Sequence, residues 1–301
     1  MATYLRSAST LSRTRKPAPA RAERLDAYAS RGYKQVRGYL ERAAVILIRA
    51  VAEAQDAFEV HGNVAEIGVH QGRGFILLQL LARAEERGVA VDVFGHQDLN
   101  LDDSGRGDLA IFKQNLRRHI GTEAGVAIIE GDSTKLTAED YEAAAGGKFR
   151  LFHVDGGHMA HMAKHDMLQA YRSLAGGGVI ILDDYFHEQW PGVSDGVREL
   201  FAEQPDIDLA PFGIGGNKVF FAQKAWAPKY REYLAALPVD RQGYGKPTVM
   251  MGHDVLTFAF WDMNLKDRLI RTDVWKQVRG KPPFVQVRRA LRKRQGRKTS
   301  V

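Results

Sequence analysis

Residues 154–185, VDGGHMAHMAKHDMLQAYRSLAGGGVIILDDY, decide the fold of this chain. The pattern predicts a strand, a turn, a helix, a glycine stop and a second strand. Asp155 follows the first of these strands, and Asp183 and Asp184 follow the second. If a right-handed crossover helix joins two parallel strands, the three carboxylates converge on one edge of a sheet. Ligands of open α/β sheets bind at that carboxyl edge, which is therefore the predicted functional region.

Strands and helices alternate on both sides of this stretch and close with a hairpin. The pattern predicts a doubly wound, Rossmann-like α/β fold with helices on both faces of a seven-stranded sheet, mostly parallel, whose last strand is antiparallel. Beyond the central pair, strands are predicted at 63–69, 89–94, 126–129, 207–211 and 218–223, and helices at 33–54, 75–86, 108–119, 196–203 and 229–237.

Three regions are predicted along the 301 residues. Residues 1–22 are rich in Arg, Ser, Pro and Ala and read as a disordered basic leader, with a transit peptide as the alternative. Residues 23–224 form the main domain, including the helical segment that precedes the first strand. Residues 225–301 form a carboxyl-terminal extension with a basic tail.

The net charge of +7 arises largely at the two ends of the chain, so it says little about the site. A basic tail is most often a solvated tail, and we therefore expect no nucleic-acid partner. Cysteine is absent, which excludes disulfides, thiol nucleophiles and cysteine metal sites, and is compatible with the cytoplasmic location that we predict. The longest apolar run is too short to span a membrane. A homo-oligomer is left open.

A glycine-rich loop, EIGVHQGRG at residues 66–74, follows a predicted strand and opens a helix. Glycine there lets the backbone approach a ligand, and a helix amino terminus offers free N–H groups. The spacing from Gly68 to Gly72 is not the dinucleotide fingerprint, so a nucleoside cofactor without a diphosphate suits the loop better. The alternative is an ordinary strand-to-helix turn.

Polar residues also follow the second and third predicted strands. Gln97 or Asp98 is a candidate for binding ribose hydroxyls, with turn chemistry as the alternative. Asp132 and Ser133 are candidates for hydrogen bonds to an adenine edge, and a helix cap is the rival interpretation.

Histidines are dense after the fourth predicted strand. His158, His161 and His165 are spaced at helical intervals, which also suits zinc, but no independent fourth ligand is evident. We assign His158 to the catalytic turn and the other two to the helix surface. Asp166, in the same helix, is assigned a structural role.

The segments EIGVHQGRG, GDS at 131–133, VDGGH at 154–158, GGGVIILDDY at 176–185 and WPGV at 190–193 together resemble class I S-adenosylmethionine-dependent methyltransferases. Within that superfamily they are most similar to the metal-dependent sugar O-methyltransferases of the macrocin and novobiocin pathways and to relatives grouped with cephalosporin hydroxylase proteins. The resemblance covers about residues 60–224.

The resemblance implies S-adenosylmethionine as the cofactor and Mg²⁺ or another divalent cation as a second one, with a hydroxyl of a sugar or glycosylated metabolite as acceptor. The implied metal ligands are Asp155, Asp183 and Asp184. The implied cofactor residues lie in the glycine loop, at Glu66, Gly68 and Gly72, and at Asp132 and Ser133. His70, within the same loop, is a further candidate for cofactor binding. The second-strand segment Gly95-His96-Gln97-Asp98 departs from the family's Gly-aromatic-Asp pattern, so the ribose contact is an open assignment.

A metal would acidify the acceptor hydroxyl, and Asp155, or else His158 beside it, would take the proton. The alternative is that Asp155 and Asp183 merely cap the helices after their strands. Two other functions compete: a nucleotide-sugar or NAD-type oxidoreductase, which lacks its diphosphate-binding glycines here, and a non-enzymatic anion-binding protein, which leaves the three acids unexplained.

Overall fold

A computed structural model describes residues 20–237 and 244–259. These residues form one sheet in the order β3-β2-β1-β4-β5-β7-β6-β9-β8. The strands are β1 (Asn63–Ile67), β2 (Gly88–Asp92), β3 (Val126–Glu130), β4 (Phe149–Val154), β5 (Leu174–Asp183), β6 (Ala210–Gly215), β7 (Lys218–Ala222), β8 (Tyr244–Met250) and β9 (His253–Ala259). The helices are α1 (Arg21–Ser30), α2 (Arg42–Ala57), α3 (Arg73–Leu81), α4 (Leu109–His119), α5 (Ala138–Ala145), α6 (Ala160–Arg172), α7 (Pro191–Glu203) and α8 (Ala227–Ala235).

The sheet is sandwiched between two helical layers. Along β5, Val179 and Ile181 join one hydrophobic cluster while Ile180 and Leu182 join the other, because successive side chains of a strand point to opposite faces. Helices α5, α6 and α7 cover the second cluster, and the other five helices contribute to or pack against the first. The predicted doubly wound α/β fold is therefore confirmed.

Local chemistry explains how the strands that carry the site are joined. Strands β4 and β5 are parallel neighbours connected through α6, as the crossover pattern predicts. The β6–β7 hairpin turns at Gly216 and Asn217, whose φ angles of 60° and 64° are those of a type I′ turn. This hairpin brings β7 back antiparallel to β5 and places Lys218 opposite Asp183.

The sheet has nine strands in the described residues instead of the predicted seven. The additional strands, β8 and β9, form a hairpin, and β9 pairs in parallel with β6. Both lie in the predicted extension after residue 225, where the apolar periodicity is weak. The described part of that extension thus continues the main sheet.

Other boundaries shift by a few residues, and two helices were not predicted. The segment 33–54 contains a 3-10 turn at Gly32–Gln35 before α2 begins at Arg42. Helix α1 begins at Arg21, at the end of the predicted leader, and α5 is a short helix whose capping box between Thr137 and Asp140 was overlooked. The rest of the leader (1–19) and the basic tail (260–301) lie outside the described residues. Within 20–237 and 244–259, no helix is long and apolar enough to cross a membrane.

A buried ion pair sits at the amino end of β4. The Arg150 guanidinium donates to both Glu86 oxygens at 2.8 and 3.0 Å, to Gln55 Oε1 at 2.7 Å and to the Leu81 carbonyl at 2.9 Å. Arg150 is only 1% exposed. Because a buried charge is costly unless it is paired and hydrogen-bonded, this network is a fully satisfied structural element.

Candidate active site

A cavity of about 840 Å³ opens at the carboxyl edge of the sheet. The loops that follow β1 to β5 line it, as expected for an open α/β sheet. The cavity brings together nine of the predicted site residues: Glu66, Gly68, His70, Asp132, Ser133, Asp155, His158, Asp183 and Asp184. Gly72, Gln97 and Asp98 do not line it.

The loop glycines are required by the packing of the protein itself. Gly68 has φ 81°, and a β-carbon there would collide with the carbonyl oxygen of Asp155. Gly72 has φ 94°, caps α3, and leaves only 2.8 Å between an added β-carbon and the ring of Phe112. Gly68 therefore allows β1 and β4 to exit side by side, and Gly72 allows α3 to begin against Phe112 of α4. A bulky residue at Gly68 would disturb the fold as well as any ligand.

The acid at the end of the second strand is Asp92, which sequence reasoning placed inside the strand. Strand β2 ends there, and Asp92 accepts hydrogen bonds from the backbone N–H groups of His70 at 2.7 Å and Phe94 at 2.6 Å. Burial raises the pKa of Asp92, which lines the cavity. Gln97 instead donates to the Phe94 carbonyl within its own turn. The ribose candidate supported by position is thus Asp92.

Asp183 is engaged by the protein. Lys218, 1% exposed, forms an ion pair with its Oδ2 atom. Its Oδ1 atom accepts from the backbone N–H of Asp184 at 3.0 Å and from the side-chain amide of Asn217 at 3.3 Å. Although burial opposes it, the ammonium of Lys218 holds the pKa of Asp183 below its usual range. The carboxylate of Asp183 is therefore the least available of the three predicted metal ligands.

The side chain of Asp155, unlike that of Asp183, is not engaged by a partner in the described residues. No hydrogen bond to its side chain is present among residues 20–237 and 244–259, and its carboxylate is partly exposed to the cavity. Burial, followed by repulsion from Asp183, raises the pKa of Asp155 well above its usual range. Asp155, His158 and Asp184 offer ligand atoms that all lie within 4.8 Å of one another. Two carboxylates beside a water-accessible cavity fit a hard cation such as Mg²⁺.

Asp184 holds its position through an unusual backbone. Its φ of 58° is left-handed, a conformation that is uncommon outside glycine and that clusters at functional sites. Asn217 donates to its Oδ1 atom at 2.6 Å. The turn after β5 therefore directs the two adjacent acids differently, with Asp183 towards Lys218 and Asp184 towards His158.

His158 is clamped between two carboxylates. Its Nδ1 atom lies 2.8 Å from Asp102 Oδ2, its Nε2 atom lies 3.1 Å from Asp184 Oδ2, and its ring stacks on Trp190 with centroids 4.3 Å apart. Burial alone would lower the pKa of His158, but the bonds to Asp102 and Asp184 raise it to about 9. His158 is thus an imidazolium at neutral pH and a poor proton acceptor.

The two rival interpretations of these acids and histidines fail. Met159 and Trp190 occupy the N-cap positions of α6 and α7, and neither helix has a side-chain cap, so Asp155 and Asp183 do not cap the following helices. His161 is exposed, and His165 Nε2 lies 2.9 Å from the Leu136 carbonyl. Neither belongs to a metal-binding cluster in the described part of the chain.

Ser133 and Asp132 occupy the exit of β3. Asp132 caps the 3-10 turn that follows, as the rival interpretation predicted, by accepting from the Thr134 N–H at 2.9 Å, and it also lines the cavity. The Ser133 hydroxyl donates to Asp166 Oδ2 at 3.0 Å. Ser133 therefore links the cavity to a carboxyl group that is buried in α6.

Three site residues were missed because their signals are weak in sequence. Asp92 is the first acid after a buried strand, which a shorter strand boundary would have revealed. Asp102 lies in a loop with no distinctive pattern, 56 residues from His158. Lys218 starts a strand, where a lysine is normally expected to be exposed.

Residues 65–185 match the family model described as a methyltransferase domain. The O-methyltransferase NovP is similar in structure with a TM-score of 0.53 at 15% identity, covering 68% of this chain and 99% of NovP. An O-methyltransferase from Bacillus cereus, solved with SAH, gives a TM-score of 0.45 at 15% identity over 67% of this chain and 88% of that one. No curated protein sequence matches the chain. The family match indicates a methyltransferase domain at residues 65–185, and the similarity to NovP confirms the predicted α/β fold.

Proposed function

We propose that this methyltransferase transfers the methyl group of S-adenosylmethionine to a hydroxyl of a small molecule, a sugar or glycosylated metabolite. The observation that carries the proposal is Asp155: a carboxylate with a raised pKa and no hydrogen-bond partner in the described residues, facing the cavity where the cofactor would bind. Such a group is suited to accept a proton from an acceptor hydroxyl. The sugar class rests on the resemblance of the motifs.

The exits of β1, β2 and β3 are the proposed cofactor site. Glu66 and the loop through His70 would hold the methionine end, Asp92 the ribose, and Asp132 with Ser133 the adenine. Glu66 supports this placement, because its Oε2 atom is buried without a hydrogen-bond partner in the described residues. A cavity of about 840 Å³ is at the upper end of small-molecule sites, which suits a cofactor together with an acceptor.

Asp155 and Asp184 are the proposed ligands of a divalent cation, with Asp183 supporting them from its ion pair with Lys218. Mg²⁺ is commonly held by one or two carboxylates and keeps sites for water or substrate oxygens. When bound, the cation would supply positive charge that lowers the pKa of the acceptor hydroxyl. His158 and Lys218 contribute further positive charge from the protein, which offsets part of the repulsion among the adjacent carboxylates.

These residues account for the proton that is released during methyl transfer. The acceptor oxygen attacks the methyl carbon, the carbon–sulfur bond breaks with its electron pair leaving on sulfur, and Asp155 accepts the hydroxyl proton. His158, already protonated, orients Asp184 and does not compete for that proton. At the cavity mouth, Tyr39 and Leu101 are 86% and 60% exposed and would contact the acceptor.

Replacing Asp155 by Asn tests the proposal. The substitution keeps the size of the side chain and removes its basicity, so we expect the rate of methyl transfer to fall about 10²–10⁴-fold. The measurement is transfer of labelled methyl from S-adenosylmethionine to a panel of sugar and glycoside acceptors, with S-adenosylhomocysteine affinity measured by calorimetry. Asp103→Asn is the matched control, because Asp103 also lines the cavity but its side chain is 80% exposed and, among residues 20–237 and 244–259, pairs only with Arg106 at 3.6 Å.

The outcomes separate the parts of the proposal. Wild-type protein that does not bind S-adenosylhomocysteine would refute the cofactor assignment. An Asp155→Asn variant that is as active as Asp103→Asn would refute the role of Asp155. Methyl transfer to nitrogen or to nucleic acid, with no transfer to hydroxyl acceptors, would refute the substrate class.

A further inference from the structure

A buried carboxyl group lies behind the cavity wall at the exit of β3. Asp166 projects from α6, is 0% exposed, and accepts from the Ser133 hydroxyl through Oδ2 at 3.0 Å. Its Oδ1 atom is buried and has no hydrogen-bond partner in the part of the chain that the structure describes. Burying a carboxyl group in this way is costly, so its retention calls for a function.

The position of Asp166 couples it to the cavity without exposing it. A β-carbon added to Gly156 would lie 2.6 Å from Asp166 Oδ2. Gly156 and Ser133 both line the cavity, whereas Asp166 does not. The hydrogen bond that links Asp166 to the cavity wall is therefore the one from Ser133.

The hydrogen-bond chemistry of this pair has a definite direction. A serine hydroxyl has one proton to donate and two lone pairs, while an ionised carboxylate can only accept. Ser133 therefore gives its proton to Asp166 and turns lone pairs towards the cavity. At this point the wall of the cavity accepts hydrogen bonds.

We propose that Asp166 is a positioning residue for base selection: by holding Ser133 as an acceptor, it favours a base that presents an amino group there over one that presents a carbonyl oxygen. Adenine carries such an amino group, and hypoxanthine carries a carbonyl oxygen at the same ring position. The inference rests on the proposed cofactor site. It goes further, because it assigns the discrimination to a residue outside the cavity.

The ionisation of Asp166 adds a pH dependence to this selection. Burial raises the pKa of Asp166 to about 7, Ser133 opposes the shift, and the negative charge of Asp132 adds to it. The titratable groups that face Asp166 are Asp132 and, from α5, the Tyr141 hydroxyl. When Asp166 is protonated it can donate to Ser133, which frees the serine proton to donate into the cavity. Selection for the amino group should therefore be strongest above pH 7 and weaken below it.

The test compares the dissociation constants of S-adenosylhomocysteine and S-inosylhomocysteine by calorimetry at pH 8. For wild-type protein we expect the adenine ligand to bind at least about tenfold more tightly, because the inosine carbonyl faces an acceptor. Asp166→Leu and Ser133→Ala should each bring the ratio to within about threefold of unity. Glu139→Gln, which removes an exposed carboxylate from the neighbouring helix, is the matched control and should keep the wild-type ratio.

Both variants are needed because Asp166→Leu alters a fully buried position, whereas Ser133→Ala removes only a hydroxyl. A wild-type ratio near unity, or an unchanged ratio in folded Ser133→Ala, would overturn the inference while leaving the cofactor assignment intact. A ratio in wild-type protein that is as large at pH 6 as at pH 8 would overturn the role of Asp166 as the ionised partner. Absence of binding of both ligands to wild-type protein would instead overturn the proposed cofactor site and this inference with it.

Discussion

The two ends of strand β4 handle buried charge in opposite ways. At its amino end, Arg150 satisfies its donors on Glu86, Gln55 and the Leu81 carbonyl. Beyond its carboxyl end, Asp155 has no side-chain partner in the described residues and is repelled by Asp183 and Asp184. Only four residues, 151–154, lie between these two positions in the chain.

The difference teaches which buried charges are structural and which are available for chemistry. A fully bonded ion pair has nothing left to offer a ligand, and its loss should appear as lost stability. A carboxylate that is desolvated, repelled by neighbouring charges and open to a cavity can gain a favourable interaction when a ligand binds. Substitutions at the amino end should therefore lower stability, and substitutions at the carboxyl end should lower activity.

The largest effect on stability is expected at the amino end, for Arg150→Met. The substitution removes the buried guanidinium from Glu86, Gln55 and the Leu81 carbonyl and leaves Glu86 with Arg83, whose Nη1 atom lies 2.9 Å from Glu86 Oε1, so we expect the free energy of unfolding to fall by about 3–5 kcal/mol. Denaturant unfolding followed by circular dichroism measures the change. Adding Glu86→Gln should recover part of the loss, because it removes the buried negative charge that Arg150 no longer helps to balance. A loss below about 1 kcal/mol for the single variant would show that Arg150 is not a structural charge in the sense that we propose.

An intermediate effect is expected for Asp166→Asn, on the pH dependence of stability. The pKa of Asp166 is raised to about 7 from an ordinary value near 3.9, so between these pH values the folded state binds the proton more tightly than the unfolded state. Its contribution to the free energy of unfolding therefore falls as pH rises from about 4 to 7, by roughly 2–4 kcal/mol. Asparagine does not titrate and should remove this fall.

Thermal or denaturant unfolding of the wild-type protein and Asp166→Asn at pH 5 and pH 8 measures this difference. The variant should gain stability relative to wild type as pH rises, whereas Glu139→Gln should follow the wild-type profile. Parallel profiles for Asp166→Asn and wild type would mean that Asp166 does not carry a raised pKa.

The smallest effect is expected for Asp184→Asn, on the metal requirement. Losing one of two proposed carboxylate ligands should raise the Mg²⁺ concentration for half-maximal activity about tenfold or more, in addition to slowing the reaction. A titration of activity with Mg²⁺ measures the shift, with Asp103→Asn as the control. Full activity of Asp184→Asn in the presence of a chelator would require the metal assignment to be withdrawn.

Much of the fold could be predicted because its determinants are local. The run VIIL at 179–182, the glycines around it and the acids that follow strands 4 and 5 are all read from neighbouring residues. The hydrophobic periodicity and the turn residues of these segments determine which are strands and helices and where each strand ends. Because crossover connections between parallel strands are right-handed, Asp155, Asp183 and Asp184 then lie at one edge of the sheet. Strands β8 and β9 were not predicted because their local pattern is weak. They are held in the sheet by pairing with each other and by the pairing of β9 with β6.

The sequence by itself therefore determined the alternation of elements, the carboxyl edge as the site and the presence there of Asp155, Asp183 and Asp184. Only the tertiary structure decided how those acids differ in pKa and in availability to a ligand. Lys218 reaches Asp183 because β7 pairs with β5, and Asp102 reaches His158 from a separate loop, so Asp183 and His158 are engaged while Asp155 has no such partner in the described residues. The physical reason is that the pKa and availability of a carboxylate depend on charges within a few ångströms, and these come from residues that are distant in the chain.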